Sequence, residues 1–151
     1  MHDLQACKTC AALWGESRLS LGEVIYQGKF WVVEHAGPKV GILGWLVIVL
    51  LRPEESNLEL TPDEEIELGI IQCLVRQALK YELSPERVYE MYFAEGPGFG
   101  HVHYHMVPKP KDLDRQYVGV NIFKLLGDKE FEPLPAKPIG DICRKLKALM
   151  N

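Results

Sequence analysis

Three of the five histidines in this 151-residue chain occupy alternate positions in one stretch, His101-Val102-His103-Tyr104-His105-Met106-Val107-Pro108. In extended backbone, successive side chains point to opposite faces, so residues two apart line one face about 7 Å from each other. The alternation predicts a strand that turns three imidazoles to one side and Val102, Tyr104 and Met106 to the other, into a core. Imidazoles are poor packing material, because each carries two ring nitrogens that need partners. They are good chemical groups: near pH 7 a neutral imidazole is a nucleophile, a proton carrier or a metal ligand.

A second group is Cys7-Lys8-Thr9-Cys10. Two thiols at this spacing make half of a structural zinc site, with two ligands to come from elsewhere, or a redox dithiol. The redox motif normally opens a helix behind a strand, and no strand pattern precedes residue 7, which favours zinc. Cysteines that serve only as packing are the third reading. Cys73 and Cys143 are isolated in helical patterns, where Cys73 reads as a small buried or half-buried hydrophobe. Four such cysteines form no disulfide framework and point to a reducing, cytoplasmic setting.

These groups must be held by a core. A hydrophobic share of 47% and a charged share of 25% are those of a globular protein, and this length suits one domain. A net charge of −4 offers no basic face for nucleic acid. The N-terminus lacks the cationic start and apolar core of a secretory leader, and the longest apolar run, 41–51, is too short to span a bilayer. Neither a nucleic-acid nor a membrane partner is expected.

Alternation and turn residues predict strands at Gly22–Tyr26 and Phe30–His35, joined at Gln27-Gly28-Lys29. A third strand, Gly44–Leu51, is apolar on both faces and so central; a fourth runs from Val88 to Phe93. Between them Thr61 caps a long helix, with Pro62 in its first turn, Glu64 completing a capping box, and an end near Tyr81. Its apolar face is expected at Ile66, Ile70, Leu74 and Ala78, widened by Ile71 and Val75. Residues 95–100 form a glycine-rich connection into the histidine strand. Tyr117–Leu126 reads as a short strand or helix, Phe131–Pro138 as a linker, and Ile139–Met150 as a last amphipathic helix. No internal repeat is visible.

The run His101-Val102-His103-Tyr104-His105-Met106-Val107 resembles the signature of the histidine triad (HIT) family of nucleotide hydrolases and transferases: His, apolar, His, apolar, His, apolar, apolar. Cys7-x-x-Cys10, the hairpin, the Gly44–Val49 strand, the capped helix and the closing proline stand around it in the matching order, so the resemblance covers about residues 4 to 110. It implies an α+β fold, a five-stranded antiparallel sheet with a long helix packed on it and a C-terminal helix. Residues 1–110 would form the nucleotide-binding domain and 111–151 an extension packed on the same domain. It also implies a homodimer built through the long helix.

The activity implied is hydrolysis or nucleotidyl transfer at the α-phosphate of a purine nucleotide, as a dinucleoside polyphosphate or a nucleoside phosphoramidate. His103 would be the nucleophile, forming a nucleotidyl-histidine intermediate. His101 would orient it through its backbone carbonyl, and His105 would donate to the phosphate oxygens. Glu34 stands where the family has its ribose-binding acid. In the loop before the histidines, the family's asparagine is replaced by Ala94, and its polar side chains are missing; the backbone N–H groups of Gly98, Phe99 and Gly100 are left to cradle phosphate. In the Cys-x-x-Cys branch, the side chain of the first histidine, here His101, joins the two thiolates on a structural zinc that catalysis does not require. The fourth ligand is expected on the third strand as a histidine after glycine, where this chain has Gly44-Trp45; His35 is the candidate substitute. A nucleotide-binding regulatory protein with little catalysis is the alternative, and a metal-binding protein without nucleotide chemistry is a third.

Overall fold

In a computed structural model that describes residues 6–14, 24–37 and 39–151, five strands form one antiparallel sheet in the order β1-β2-β3-β5-β4. They are β1 (Tyr26–Gln27), β2 (Trp31–His35), β3 (Leu46–Leu50), β4 (Arg87–Met91) and β5 (His103–Lys109). Three helices accompany them, α1 (Lys8–Trp14), α2 (Pro62–Leu83) and α3 (Ala136–Met150). The expected α+β architecture is the one found. β3 is central, as its two-sided apolar character requires. Residues 22 and 23 of the expected first strand lie outside the described residues, and pairing is seen only at Tyr26–Gln27.

Register sorts the side chains. Val32 pairs with Val49, which pairs with His103; Glu34 pairs with Val47, which pairs with His105, and His105 with Met91. Directly opposed residues share a face, so His103, His105 and Glu34 lie on one face over a floor of Val32, Val47 and Val49. The other face presents Trp31, Val33, Leu46, Ile48, Leu50 and Met106, all fully buried, and α2 covers it. The Trp31 indole N–H donates to the Glu64 carbonyl in the first turn of α2 (2.9 Å).

α2 begins as expected. Thr61 caps it, and Thr61 and Glu64 bond reciprocally in a capping box. Its buried face matches the expected one in part: Ile71, Val75 and Ala78 are buried as expected, joined by Leu68 and Leu79, whereas Ile66 is 63% and Ile70 55% exposed. The apolar surface of the helix is wider than the face the sheet covers, so Ile66 and Ile70 fall beyond its edge. Cys73, on the outer side, is exposed rather than buried. Glu67 faces the hairpin and gathers the backbone N–H groups of Lys29, Phe30 and Trp31 at 2.7–3.2 Å. Gly28 makes room for it: a Cβ there would stand 2.8 Å from the Glu67 carboxyl carbon.

The last forty residues join the same core through Ile122, Leu125, Ile139, Ile142, Cys143 and Leu146. Of the two readings for Tyr117–Leu126, the helical one is seen, as 3-10 turns at Arg115–Tyr117 and Gly119–Leu125. α3 starts three residues earlier than expected, at Ala136. Pro138 does not break it, because the N–H groups of a first turn have no helical partner to lose. Among the described residues no helix is long and apolar enough to cross a membrane.

Glu64 does more than cap. Arg52 forks onto its carboxylate (Nε–Oε1 2.7 Å, Nη2–Oε2 3.1 Å), and this pairing, against the opposing cost of burial, brings the carboxyl from 4.5 to about 2. A carboxyl depressed in the folded state stabilises fully above its unfolded value and loses that contribution as pH falls through the folded one. Glu64→Gln is therefore expected to cost about 2–3 kcal/mol near neutrality. In urea titrations the gap from wild type should close as pH drops from 4.5 towards about 2; a gap independent of pH would contradict this.

Candidate functional site

The three histidines do not form the simple row that alternation predicts. His103 and His105 stand in β5, their ring centroids 5.0 Å apart. His101 lies in a bend ahead of the strand, where Val102 is pinned between Glu54 O (2.8 Å) and Leu50 N (3.2 Å). Its ring, fully buried, turns instead to the Leu50 carbonyl (Nε2–O 2.6 Å) and the Cys10 sulfur (Nδ1–Sγ 3.3 Å).

Each imidazole has one nitrogen set by a partner whose role cannot change. A carbonyl only accepts, so His103 donates from Nδ1 to His101 O (2.7 Å) and, when neutral, carries its lone pair on Nε2. An indole N–H only donates, so His105 accepts on Nδ1 from Trp45 Nε1 (3.0 Å) and carries its hydrogen on Nε2. His101 donates from Nε2 to Leu50 O and leaves Nδ1 as lone pair towards Cys10. Burial lowers the pKa of His103, against the opposing hydrogen bond to His101. Burial and then the charge of His103 take His105 down to about 3. Both rings are neutral at pH 7: one nucleophilic nitrogen stands beside one neutral N–H donor, the pair that acyl or phosphoryl transfer needs.

Around them, Phe123 from the C-terminal segment packs edge-on against His105 (5.0 Å), Trp45 (5.6 Å) and Phe93 (5.6 Å). Neither Trp45 nor Phe123 stands out as a site residue in the sequence. A tryptophan at the start of a buried strand does need an acceptor for its N–H, and that was the available signal. Glu34 is buried to 6% exposure on the histidine face, two strands or roughly 10 Å from His105.

The glycine-rich loop is closed by its own turn, Phe99 N–H to Gly96 O (2.8 Å). The Phe99 N–H, expected to meet phosphate, is thus engaged within the loop. Gly98 has φ +80°, and its carbonyl accepts the Lys8 N–H (2.8 Å), which fixes α1 against the loop. Ala94 has φ +49°, a left-handed conformation that costs a non-glycine residue about 1–2 kcal/mol and that asparagine tolerates better.

Cys7 Sγ, Cys10 Sγ and a ring nitrogen of His101 lie within 4.8 Å of one another, all buried. Two thiols and an imidazole at this separation fit zinc, whose Zn–S and Zn–N bonds of about 2.3 and 2.0 Å bring donors that close. The Leu50 carbonyl holds the His101 ring as such sites require. Burial first, then the hydrogen bond and charge of Cys7, push the Cys10 thiol up to about 12, and the Glu55 carboxylate adds to this; a bound dication reverses that balance. His35 is elsewhere. Its Nδ1 donates to Ala36 O (3.0 Å) and its Nε2 accepts from Gly44 N (3.1 Å), so both nitrogens brace the β2–β3 turn. Gly44-Trp45 does not face the cysteines either, since Trp45 points to His105. Among the described residues, the loop after β3 runs alongside the bend that carries His101, bonded through Leu50 O and Glu54 O.

Trp45→Phe keeps an aromatic ring and removes the donor to His105. Long-range 15N–1H spectra are expected to show His105 as the Nε2–H tautomer in wild type and as a mixture in the variant. An Nε2–H tautomer unchanged in the variant would contradict the role of Trp45.

No protein-family model and no curated protein matches the sequence. Solved structures do. A Hit-like protein involved in cell-cycle regulation from Bartonella henselae matches with a TM-score of 0.73 at 11% identity, over 99% of this chain and 98% of that one. A zinc-bound histidine triad family protein from Mycobacterium smegmatis matches at 0.65 and 14% identity, over 98% and 95%. A histidine triad protein from Bradyrhizobium japonicum matches at 0.68 and 17%, over 85% and 90%. With its register and these likenesses over 85% or more of the chain, this protein has the histidine triad fold.

Proposed function

We propose that the chain is a histidine triad nucleotide hydrolase or nucleotidyltransferase acting on a purine nucleoside phosphoramidate or dinucleoside polyphosphate. The observation that carries the reading is the His103 Nδ1–H bond to His101 O (2.7 Å), which leaves Nε2 free to attack. Nε2 forms a bond to the α-phosphorus as the P–N or P–O bond opposite breaks; the amine leaves neutral with a proton taken up from water, or the remaining nucleoside phosphate leaves as its anion. The His103 ring takes on positive charge in the nucleotidyl-imidazole, and the His101 carbonyl stabilises it through Nδ1–H. His105 Nε2–H donates to the phosphate oxygens, where negative charge grows. Water, or another acceptor, then attacks phosphorus and releases His103. Gly98 and Gly100 offer N–H groups to the phosphate, and Glu34 accepts from the ribose hydroxyls. A zinc held by Cys7, Cys10 and His101 would be structural, fastening α1 to the bend that carries the His101 carbonyl. Four unbridged cysteines support a cytoplasmic setting.

The apolar loop at 97–100, with the Phe99 N–H engaged, favours a second reading, a nucleotide-binding regulator with little turnover. His103→Ala and wild type, assayed with adenosine phosphoramidates and dinucleoside polyphosphates, separate the two. Turnover is expected to fall at least about 1000-fold in the variant while calorimetry still detects AMP. Binding without turnover in wild type selects the regulator, and no binding removes both.

We further infer a homodimer through the outer stripe of α2. Ile66, Ile70 and Tyr81 are exposed, and Leu74 and Tyr81 of α2 line a shallow groove with Leu149 of α3. A twofold contact would match this face to itself. Sedimentation analysis should show a dimer for wild type and a monomer for Ile70→Glu; a monomeric wild type would end this inference.

A further inference from the structure

Three donors leave a tetrahedral zinc one ligand short, and the two segments considered from sequence, at His35 and Gly44-Trp45, are both engaged elsewhere. The loop after β3 lies against the cluster instead. Leu50 O holds the His101 ring (2.6 Å), and Val102 N–H bonds Glu54 O (2.8 Å), so residues 50–54 run alongside the bend that presents His101. Two consecutive carboxylates follow. Glu54 is committed within the loop: it accepts from Arg52 Nη1 (3.0 Å), Glu55 N (2.9 Å) and Ser56 N (3.2 Å). The Glu55 carboxylate lies beside the approach to His101, with its Oε1 3.5 Å from where a Cβ on Gly100, one residue before that histidine, would stand. Its charge is also felt at Cys10.

We propose that Glu55 is the fourth ligand of the metal site, its carboxylate closing the solvent side of a zinc held by Cys7, Cys10 and His101. In the present geometry the carboxylate lies outside the 4.8 Å group formed by the other three, so ligation requires a change of its side-chain rotamer. Being exposed, Glu55 is the donor that can exchange with water, while the three buried ones keep the ion in place. The proposal rests on reading the cysteine–histidine cluster as a metal site, and the experiment separates the two.

Full-length wild type, Cys7→Ser, Glu55→Gln, Glu55→His and the control Glu59→Gln are titrated with Zn2+ against a chromophoric chelator and with Co2+ for the visible d–d spectrum. One tight Zn2+ per wild-type chain, lost in Cys7→Ser, establishes the site; a wild type that binds none removes the site and the proposal together. Given the site, Glu55→Gln is expected to weaken Zn2+ roughly tenfold or more and to alter the Co2+ spectrum as water replaces carboxylate. Glu55→His is expected to restore affinity, and Glu59→Gln to match wild type. Unchanged affinity in Glu55→Gln, or weakened affinity with an unchanged Co2+ spectrum, overturns the role of Glu55 and leaves the three-donor site standing.

Discussion

The chemistry of this site depends on one hydrogen bond inside a single turn of chain, from the His103 ring to the carbonyl of His101. An imidazole left to itself divides its hydrogen between two nitrogens and its pKa lies near neutrality. Here a carbonyl two residues back takes that choice away, and burial keeps the ring neutral. The carbonyl can do so only because His101 leaves the strand: a regular β5 extended to residue 101 would spend that oxygen on the ladder. The departure is enforced from outside, by Glu54 O and Leu50 N on Val102 and by Leu50 O on the His101 ring. The loop after β3 is therefore as much a part of the His103 ring's setting as β5 itself.

His105 is governed by the same logic with the opposite sign. A donor, the Trp45 indole, occupies its Nδ1 and places the hydrogen on the nitrogen facing outward. Two neighbouring histidines thus end with complementary edges, one a lone pair and one an N–H, without any charged residue directing them. Glu34, the acid on their face, is separated from them by the width of a strand, which leaves the two rings to be set by neutral partners alone.

Much of this was legible in the sequence. Alternation located β5 and the shared face of His103 and His105, and two-sided apolarity placed β3 at the centre of the sheet. Thr61 and Glu64 marked the start of α2, because a capping box is a local interaction written in adjacent residues. What escaped was decided by partners distant in sequence. Apolar residues wrap more of α2 than the sheet covers, and only the packing shows that Ile66 and Ile70 fall outside while Leu68 and Leu79 fall inside. His35 was indistinguishable from a ligand until its nitrogens were found on Ala36 and Gly44. The Phe99 N–H is lost to a four-residue turn, and the contact of Phe123 with His105 joins segments whose patterns carry no mutual signal.

The hairpin shows how tightly such distant partners bind two positions together. Glu67 satisfies three backbone donors of the β1–β2 turn, and it reaches them through the space that Gly28 leaves empty. A side chain at 28 pushes the carboxylate, the far end of a flexible chain, off those N–H groups; shortening at 67 leaves them to water from the other side. The two positions are coupled. In a set of diverged descendants of this chain, 28 and 67 would be inherited as one character, glycine with glutamate or both exchanged, and the pair would mark which descendants still dock the hairpin on α2.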